Sequence, residues 1–248
     1  MEYRYDRIGI VYGLHRRSDP RIVRQIERAL GQADRVVDVG AGTGAYSPAD
    51  RQVVAVEPSE VMIAQRSERA APVVRALADA LPFPNGSFDA SLATFTVHHW
   101  SDPAAGLREM RRVSASQVVL TFDQGEEWLD EFWLTRDYLP REHFHGAMFS
   151  GLEPVLRELD SPEVEVVPVP ADCNDGFFCA YWKRPEAYLD PDVRVSISAL
   201  ALLDEEVLEP GLRRLAEDLR SGRWAERNRD LLDLDTYDWG YRLVVSKS

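Results

Sequence analysis

The stretch Val36 to Ser47, VVDVGAGTGAYS, constrains this chain more than any other. Val36, Val37 and Val39 form a short apolar run interrupted only by Asp38, the pattern of a parallel strand buried on both faces. The run breaks into Gly40, Gly42 and Gly44. Alternate glycines let the backbone take positive φ and, lacking a Cβ, let a ligand lie directly against the main chain at the carboxyl end of a sheet. Gly40, Ala41, Gly42 and Gly44 are therefore a candidate cofactor loop. With 248 residues, the chain is long enough for one α/β domain with an added subdomain.

Gly40, Gly42 and Ala45 also satisfy the dinucleotide pattern G-x-G-x-x-G/A, which by itself is weak. Three carboxylates discriminate. Asp38 stands two residues before the first glycine, Glu57 ends the next apolar run in VVAVEPS, and Asp79 precedes Ala80 and Leu81. An acid this close to the loop repels a pyrophosphate and attracts a cation carrying an amino group and a sulfonium. Glu57 suits the ribose hydroxyls and Asp79 an exocyclic adenine amine. Pro58 follows Glu57, and Met62, on the next helix, is placed against the adenine. The expected ligand is S-adenosylmethionine.

At these residues the chain resembles the class I S-adenosylmethionine-dependent methyltransferases, in particular the bacterial small-molecule branch related to the ubiquinone and menaquinone methyltransferases. The resemblance covers Tyr3 to about Asp123. It rests on the acid-x-G-x-G-x-G loop, VEPSEVM from Val56, ADALPFPNGSFDAS from Ala78, VHHWSDP from Val97 and LREMRRV from Leu107, in that order. One departure is visible: Ser114, Ala115 and Ser116 stand where the family usually has a P-G-G turn. The resemblance implies an α/β, Rossmann-like fold with a seven-stranded, mostly parallel sheet, an antiparallel last strand and a helical lid. It implies residues 1–123 as cofactor core with an N-terminal cap, 124–190 as lid and substrate-binding insertion with the sixth strand, and 191–248 as helices and last strand. In the family the lead-in folds over the cofactor, so Tyr5 and Tyr12 would cover it and Arg17 would pair with its carboxylate.

Asp19 and Pro20 signal a helix start, and Ile22, Val23, Ile26, Ala29 and Leu30 recur at helical spacing. The segment Ala45 to Arg51 is short for a crossover helix and carries Pro48 and Asp50. A third strand is expected over Val73 to Ala78, a fourth over Phe88 to Phe95 and a fifth over Gln117 to Phe122. Thr94 closes the fourth strand beside the loop, and His98, His99 and Trp100 follow it at the edge where ligands settle in open parallel sheets. Adjacent histidines in extended structure point oppositely, so one, with His99 preferred to His98, is expected to face substrate as a general base. Their spacing matches no common metal pair, and no metal site is expected.

Within the aromatic-rich segment Glu126 to Phe149, Trp128, Leu129, Phe132, Trp133, Thr135, Arg136, Tyr138 and Leu139 suggest an amphipathic helix with a thick apolar face. Trp133, Tyr138 and His143 from this segment, with Trp100, Asp123 and Asp175, are the candidate substrate residues. A helix over Gly151 to Leu159, an edge strand over Val164 to Pro170 and two helical pieces separated at Pro210 and Gly211 complete the expected pattern. The net charge of −13 argues against a nucleic-acid partner. Cys173 and Cys179 are too few for a disulfide framework or zinc site. No apolar run approaches the roughly 18 residues of a membrane span, and MEYRYDRIG is too polar for a signal peptide, which makes the cytoplasm the expected compartment. The expected activity is methyl transfer to a small, largely apolar molecule at O, N or C. The alternatives are a cyclisation promoted by the sulfonium charge or a non-catalytic cofactor-binding protein.

Overall fold

The computed structural model describes residues 16–123, 125, 127–140, 143–144 and 151–247. Its first element, α1 (Pro20–Leu30), begins where the Asp19-Pro20 pair places it, and Ile22, Ile26 and Leu30 turn inward. Asp19 is fully buried. Its carboxylate accepts from the Arg21 amide at 2.9 Å and the Asn174 amide at 3.0 Å, and from two nitrogens of the Arg21 guanidinium. Burial alone would raise its pKa, but these hydrogen bonds hold it down at about 2. A lowered carboxyl pKa contributes stability above the ordinary value, lost as pH falls towards the folded value. Asp19→Ala is expected to cost about 1–2 kcal/mol at pH 7. Urea unfolding should show that cost shrinking as the pH falls from about 4 to about 2.

The strands β1 (Arg35–Val39) and β2 (Gln52–Val56) pair in parallel, with Val36 opposite Val53 and Asp38 opposite Ala55. The crossover between them, residues 40–51, contains no helix. A helix α2 (Glu60–Ala64), capped by the Ser59 hydroxyl, leads to β3 (Val73–Val74). This strand is shorter than the expected Val73 to Ala78, because the chain leaves the sheet after two residues to form the turn that carries Asp79. Next come β4 (Phe88–Thr94), a 3-10 turn over Val97–His99, α3 (Pro103–Val113) and β5 (Ser114–Phe122). The P-G-G turn is dispensable here. Ser114 is both the C-cap of α3 and the first residue of β5, and its hydroxyl bridges Met110 O at 2.8 Å and Ser91 Oγ at 2.9 Å.

The aromatic segment is two short helices, α4 (Trp128–Glu131) and α5 (Trp133–Asp137), not the single helix expected. Phe132 is extended between them, and its ring is buried against Trp128, Phe178 and Trp239. The Thr135 hydroxyl lies 2.8 Å from Leu129 O and 2.9 Å from Phe132 O, and the latter also accepts from the Arg136 amide at 2.9 Å. Then α6 (Leu152–Glu158), β6 (Glu163–Val166) and β7 (Val169–Pro170) divide the expected edge strand in two, since Pro168 has no N–H to continue the ladder. The C-terminal region holds a 3-10 turn (Pro185–Leu189) and α7 (Pro191–Ser196), α8 (Ser198–Ala201), α9 (Glu205–Ser221), α10 (Arg223–Arg227) and α11 (Arg229–Leu232). The chain closes with β8 (Thr236–Tyr237) and β9 (Tyr241–Lys247).

Pro210 and Gly211 do not separate two helices: α9 runs through both. Tertiary contact overrides the local signal, because the Tyr138 carbonyl packs on Gly211 and Arg214 donates to it at 3.3 Å.

The main sheet has seven strands in the order β3-β2-β1-β4-β5-β9-β6, all parallel except β9, which runs antiparallel to both neighbours. The alternation of side chains sorts the core into two faces. Val36, Val53, Leu92, Val118 and Leu120 pack with α1 and the C-terminal aromatics, while Val37, Val39, Ala93 and Val119 pack with α3 and α6. Both cysteines are free and buried. No helix among the described residues is long and apolar enough to cross a membrane.

Candidate functional site

Strand order reverses direction at β1, with β2 on one side and β4 on the other, and the crevice outside their carboxyl ends is where such sheets bind ligands. Here the glycine loop folds over β2, with the Gly40 and Ala41 amides donating to Val56 O at 2.8 and 3.0 Å. Gly40, Gly42 and Gly44 all have positive φ. A Cβ on Gly40 would lie 2.1 Å from Thr96 Oγ1, so the loop and the segment after β4 are in direct contact.

Two buried carboxylates face this loop. Glu57 ties it to the start of α2, its Oε2 accepting from Gly42 N at 2.8 Å and its Oε1 from Ser59 N at 2.9 Å. Burial pushes its pKa up, opposed by those two amides; Asp38 adds to the rise and Arg66 opposes it. Asp38 is 1% exposed. One of its oxygens accepts from the Ser47 hydroxyl, and the other, Oδ1, has no partner. Burial lifts its pKa to about 6 against the Ser47 hydrogen bond and the charge of Arg66. An unpartnered buried carboxylate oxygen costs free energy unless a cation or donor supplies what is missing. A cationic nucleoside fits this set: Asp38 facing positive charge, Glu57 with lone pairs left for a ribose diol, and the main chain of 40–44 beneath.

The other predicted residues fall into three groups. Pro58, Met62, Asp79, Ala80 and Leu81 stand on the segments that follow β2 and β3, and Thr94 is the last residue of β4, with the Met62 methyl 3.3 Å from the Cβ position of Gly42. Asp79 is half-buried, and the Leu81 amide is held by Glu109 at 2.9 Å. Arg17 is exposed on the rim of a cavity of about 760 Å³ shared with Thr43, Gly44 and Ala45. Tyr5 and Tyr12 lie outside the described residues.

His98 and His99 are not in extended structure: they occupy the 3-10 turn, and their rings approach to 3.6 Å between centroids. Phe95, at φ 52°, turns the chain sharply after β4 and makes this turn possible. The His98 ring also lies tilted against Phe122, with centroids 4.8 Å apart. Trp100 donates to Thr96 Oγ1 at 3.2 Å and covers Gly106. Asp123 is exposed at the end of β5, where it lines a second cavity of about 670 Å³ with Glu127, Trp128, Glu131 and Arg242. His143 is exposed.

Two candidate substrate residues are placed apart from this crevice by their partners. Trp133 is fully buried and donates to Trp182 O at 2.8 Å; Tyr138 donates to Asp218 at 2.9 Å. Asp175, also fully buried, accepts from Arg16 Nε at 2.8 Å, Tyr46 at 2.9 Å and Gly176 N at 2.7 Å. It locks the residue two past Gly44 to the lead-in.

Sequence reasoning missed four contributors. Tyr46, Phe95, Phe177 and Tyr241 form an aromatic cluster at this edge, with centroids of the other three rings 5.2 to 6.0 Å from Phe95. Among them, Phe95 stood at the expected end of the fourth strand.

A methyltransferase-domain family model matches residues 37–122, the span from β1 to the end of β5. Among curated relatives, the ubiquinone/menaquinone biosynthesis C-methyltransferase of Geotalea uraniireducens is 33% identical over 139 residues, covering 48% of this chain and 58% of that protein. The demethylmenaquinone methyltransferase of Mycolicibacterium gilvum is 35% identical over 115 residues, covering 45% and 50%. The chain thus spans about half the length of the curated relatives it matches. A solved structure from Anabaena variabilis, described as a candidate methyltransferase of an antibiotic biosynthesis pathway, superposes with a TM-score of 0.79. It is 30% identical, and the match covers 94% of this chain and 99% of that one. With sequence identity at that level over nearly its whole length, a family match on the sheet core and the glycine loop beside two buried acids, this chain belongs to the class I S-adenosylmethionine-dependent methyltransferases.

Proposed function

We propose that the protein transfers a methyl group from S-adenosylmethionine to a small, largely apolar molecule. The observation that carries this reading is the buried, unpartnered Asp38 Oδ1 beside the glycine loop, which favours a cationic ligand over a diphosphate. When bound, the cofactor supplies a methyl group activated by the adjoining sulfonium. The protein has to hold that group in line with the acceptor and exclude water.

The loop main chain and Glu57 fix the nucleoside, and Asp38 faces the cation. Phe95, Tyr46, Phe177 and Tyr241 present an apolar wall at the same edge, suited to an apolar acceptor. His99, on the turn after β4, is the group proposed to take a proton onto its imidazole as an O, N or acidic C nucleophile attacks, with the His98 ring tilted against it. The segment 124–190 is proposed to supply the cover over the acceptor, and Arg17 to meet the cofactor carboxylate.

Incubation with cofactor carrying a labelled methyl group and a metabolite extract tests this reading. Label should enter an organic-soluble product one CH2 heavier than its precursor, with release of S-adenosylhomocysteine. Turnover without mass gain would instead indicate cyclisation. His99→Ala is expected to lower turnover by about 100-fold while leaving S-adenosylhomocysteine affinity within about 2-fold, a split that loss of folding does not produce. Undiminished turnover removes His99 from the mechanism.

A further inference from the structure

In doubly wound folds the first glycine turn opens a helix, whose N-terminus ties up loop carbonyls and presents positive potential at the ligand. This chain has no helix between β1 and β2. What holds the loop instead comes from the segment after α2. Arg66 Nη1 donates to Gly42 O at 2.8 Å and Nη2 to Ala71 O at 3.3 Å, and both terminal nitrogens lie 3.1 Å from where a Gly44 Cβ would stand. Gly42 O would take a helical amide in the first turn of a crossover helix; here it takes a guanidinium.

We propose that Arg66 is a positioning residue for the cofactor loop, replacing the absent crossover helix as tether of Gly42 and as the positive charge balancing Asp38 and Glu57. This inference rests on the cofactor reading above. The groups facing Asp38 are the Ser47 hydroxyl from the crossover and the Arg66 charge; those facing Glu57 are the Gly42 and Ser59 amides, Asp38 and Arg66. Arg66 is the cation opposing the burial of both acids. Burial in turn pulls its own pKa down, and the two carboxylates oppose that. Without that charge Asp38 would hold its proton to higher pH, and a protonated Asp38 no longer attracts a cation.

The test is S-adenosylmethionine affinity, measured by calorimetry from pH 5 to 9 on the intact chain. In the native protein affinity should fall as pH drops through about 6, where Asp38 takes its proton. Arg66→Gln retains a hydrogen-bond donor for Gly42 and removes the charge. It should move the midpoint upward by about one pH unit or more, and so weaken binding several-fold at pH 7 while recovering most of it at pH 9. Arg66→Lys keeps the charge and loses the planar fork, and should leave the midpoint near its native value. A loss of equal size at every pH, or the same shift in both variants, overturns the inference. If the native chain itself binds no S-adenosylmethionine at any pH, it is the cofactor reading that fails, and this inference with it.

Discussion

Glu57→Ala should weaken S-adenosylhomocysteine binding by about 100-fold, the most severe loss expected from a single side chain at the cofactor site. Two charge-assisted hydrogen bonds, to Gly42 N and Ser59 N, disappear together. Those two bonds exist in the free protein, so their loss loosens the loop. The affinity loss comes from the carboxylate's hydrogen bonds to the proposed ribose diol, each worth about 1.5–3 kcal/mol, of which about 3 kcal/mol in total corresponds to roughly 150-fold. The consequences are linked. Gly42 N loses the acceptor that fixes the loop, and the proposed ribose diol loses its carboxylate. Glu57→Gln, which keeps one acceptor oxygen, should fall between the two. Calorimetric titration checks this, with circular dichroism confirming that the variants remain folded. Native affinity in the alanine variant would sink the assignment of Glu57 to the cofactor.

Gly211→Ala should lower the midpoint of thermal unfolding by about 2–8 °C. Helix propensity alone predicts the opposite, since alanine in a helix interior is favoured over glycine by about 1 kcal/mol. Packing decides the sign. A Cβ at this position would stand 1.7 Å from the Tyr138 carbonyl oxygen and 2.8 Å from its carbon. These are backbone atoms, held by α5 and by the Tyr138 hydroxyl bound to Asp218, so they cannot swing aside as a side-chain tip would. Overpacking of this kind costs about 1–3 kcal/mol and sometimes more, which exceeds the propensity gain. Calorimetric melting of both proteins would settle the comparison, and an unchanged or raised midpoint would mean that α9 does not approach Tyr138 this closely.

The half of the candidate site around the glycine loop was legible because its requirements are local. A positive-φ glycine, a capping serine such as Ser59 and an acid at a strand tip are each needed at a fixed offset from an apolar run, and the chain displays them in order. Asp38, Glu57 and the three glycines converge as their spacing implied. The acceptor half was not legible for a corresponding reason. Whether an aromatic lines a pocket or fills a core depends on what packs against it from far along the chain. Trp133 and Tyr138 looked like lid residues, yet Trp182 and Asp218, 49 and 80 positions away, claim their polar atoms. Asp175 is claimed from even farther, by Arg16 at a separation of 159.

The sequence by itself determined the sheet, its switch point and the acids around the loop, because strand periodicity and glycine stereochemistry act within a few residues. It also showed, by a crossover too short for a helix, that something was missing after Gly44. Only the tertiary structure decided what fills that gap. Arg66, Tyr46 and Phe95 reach their places through contacts that no local pattern encodes, since a hydrogen bond or a ring contact depends on where the chain returns in space.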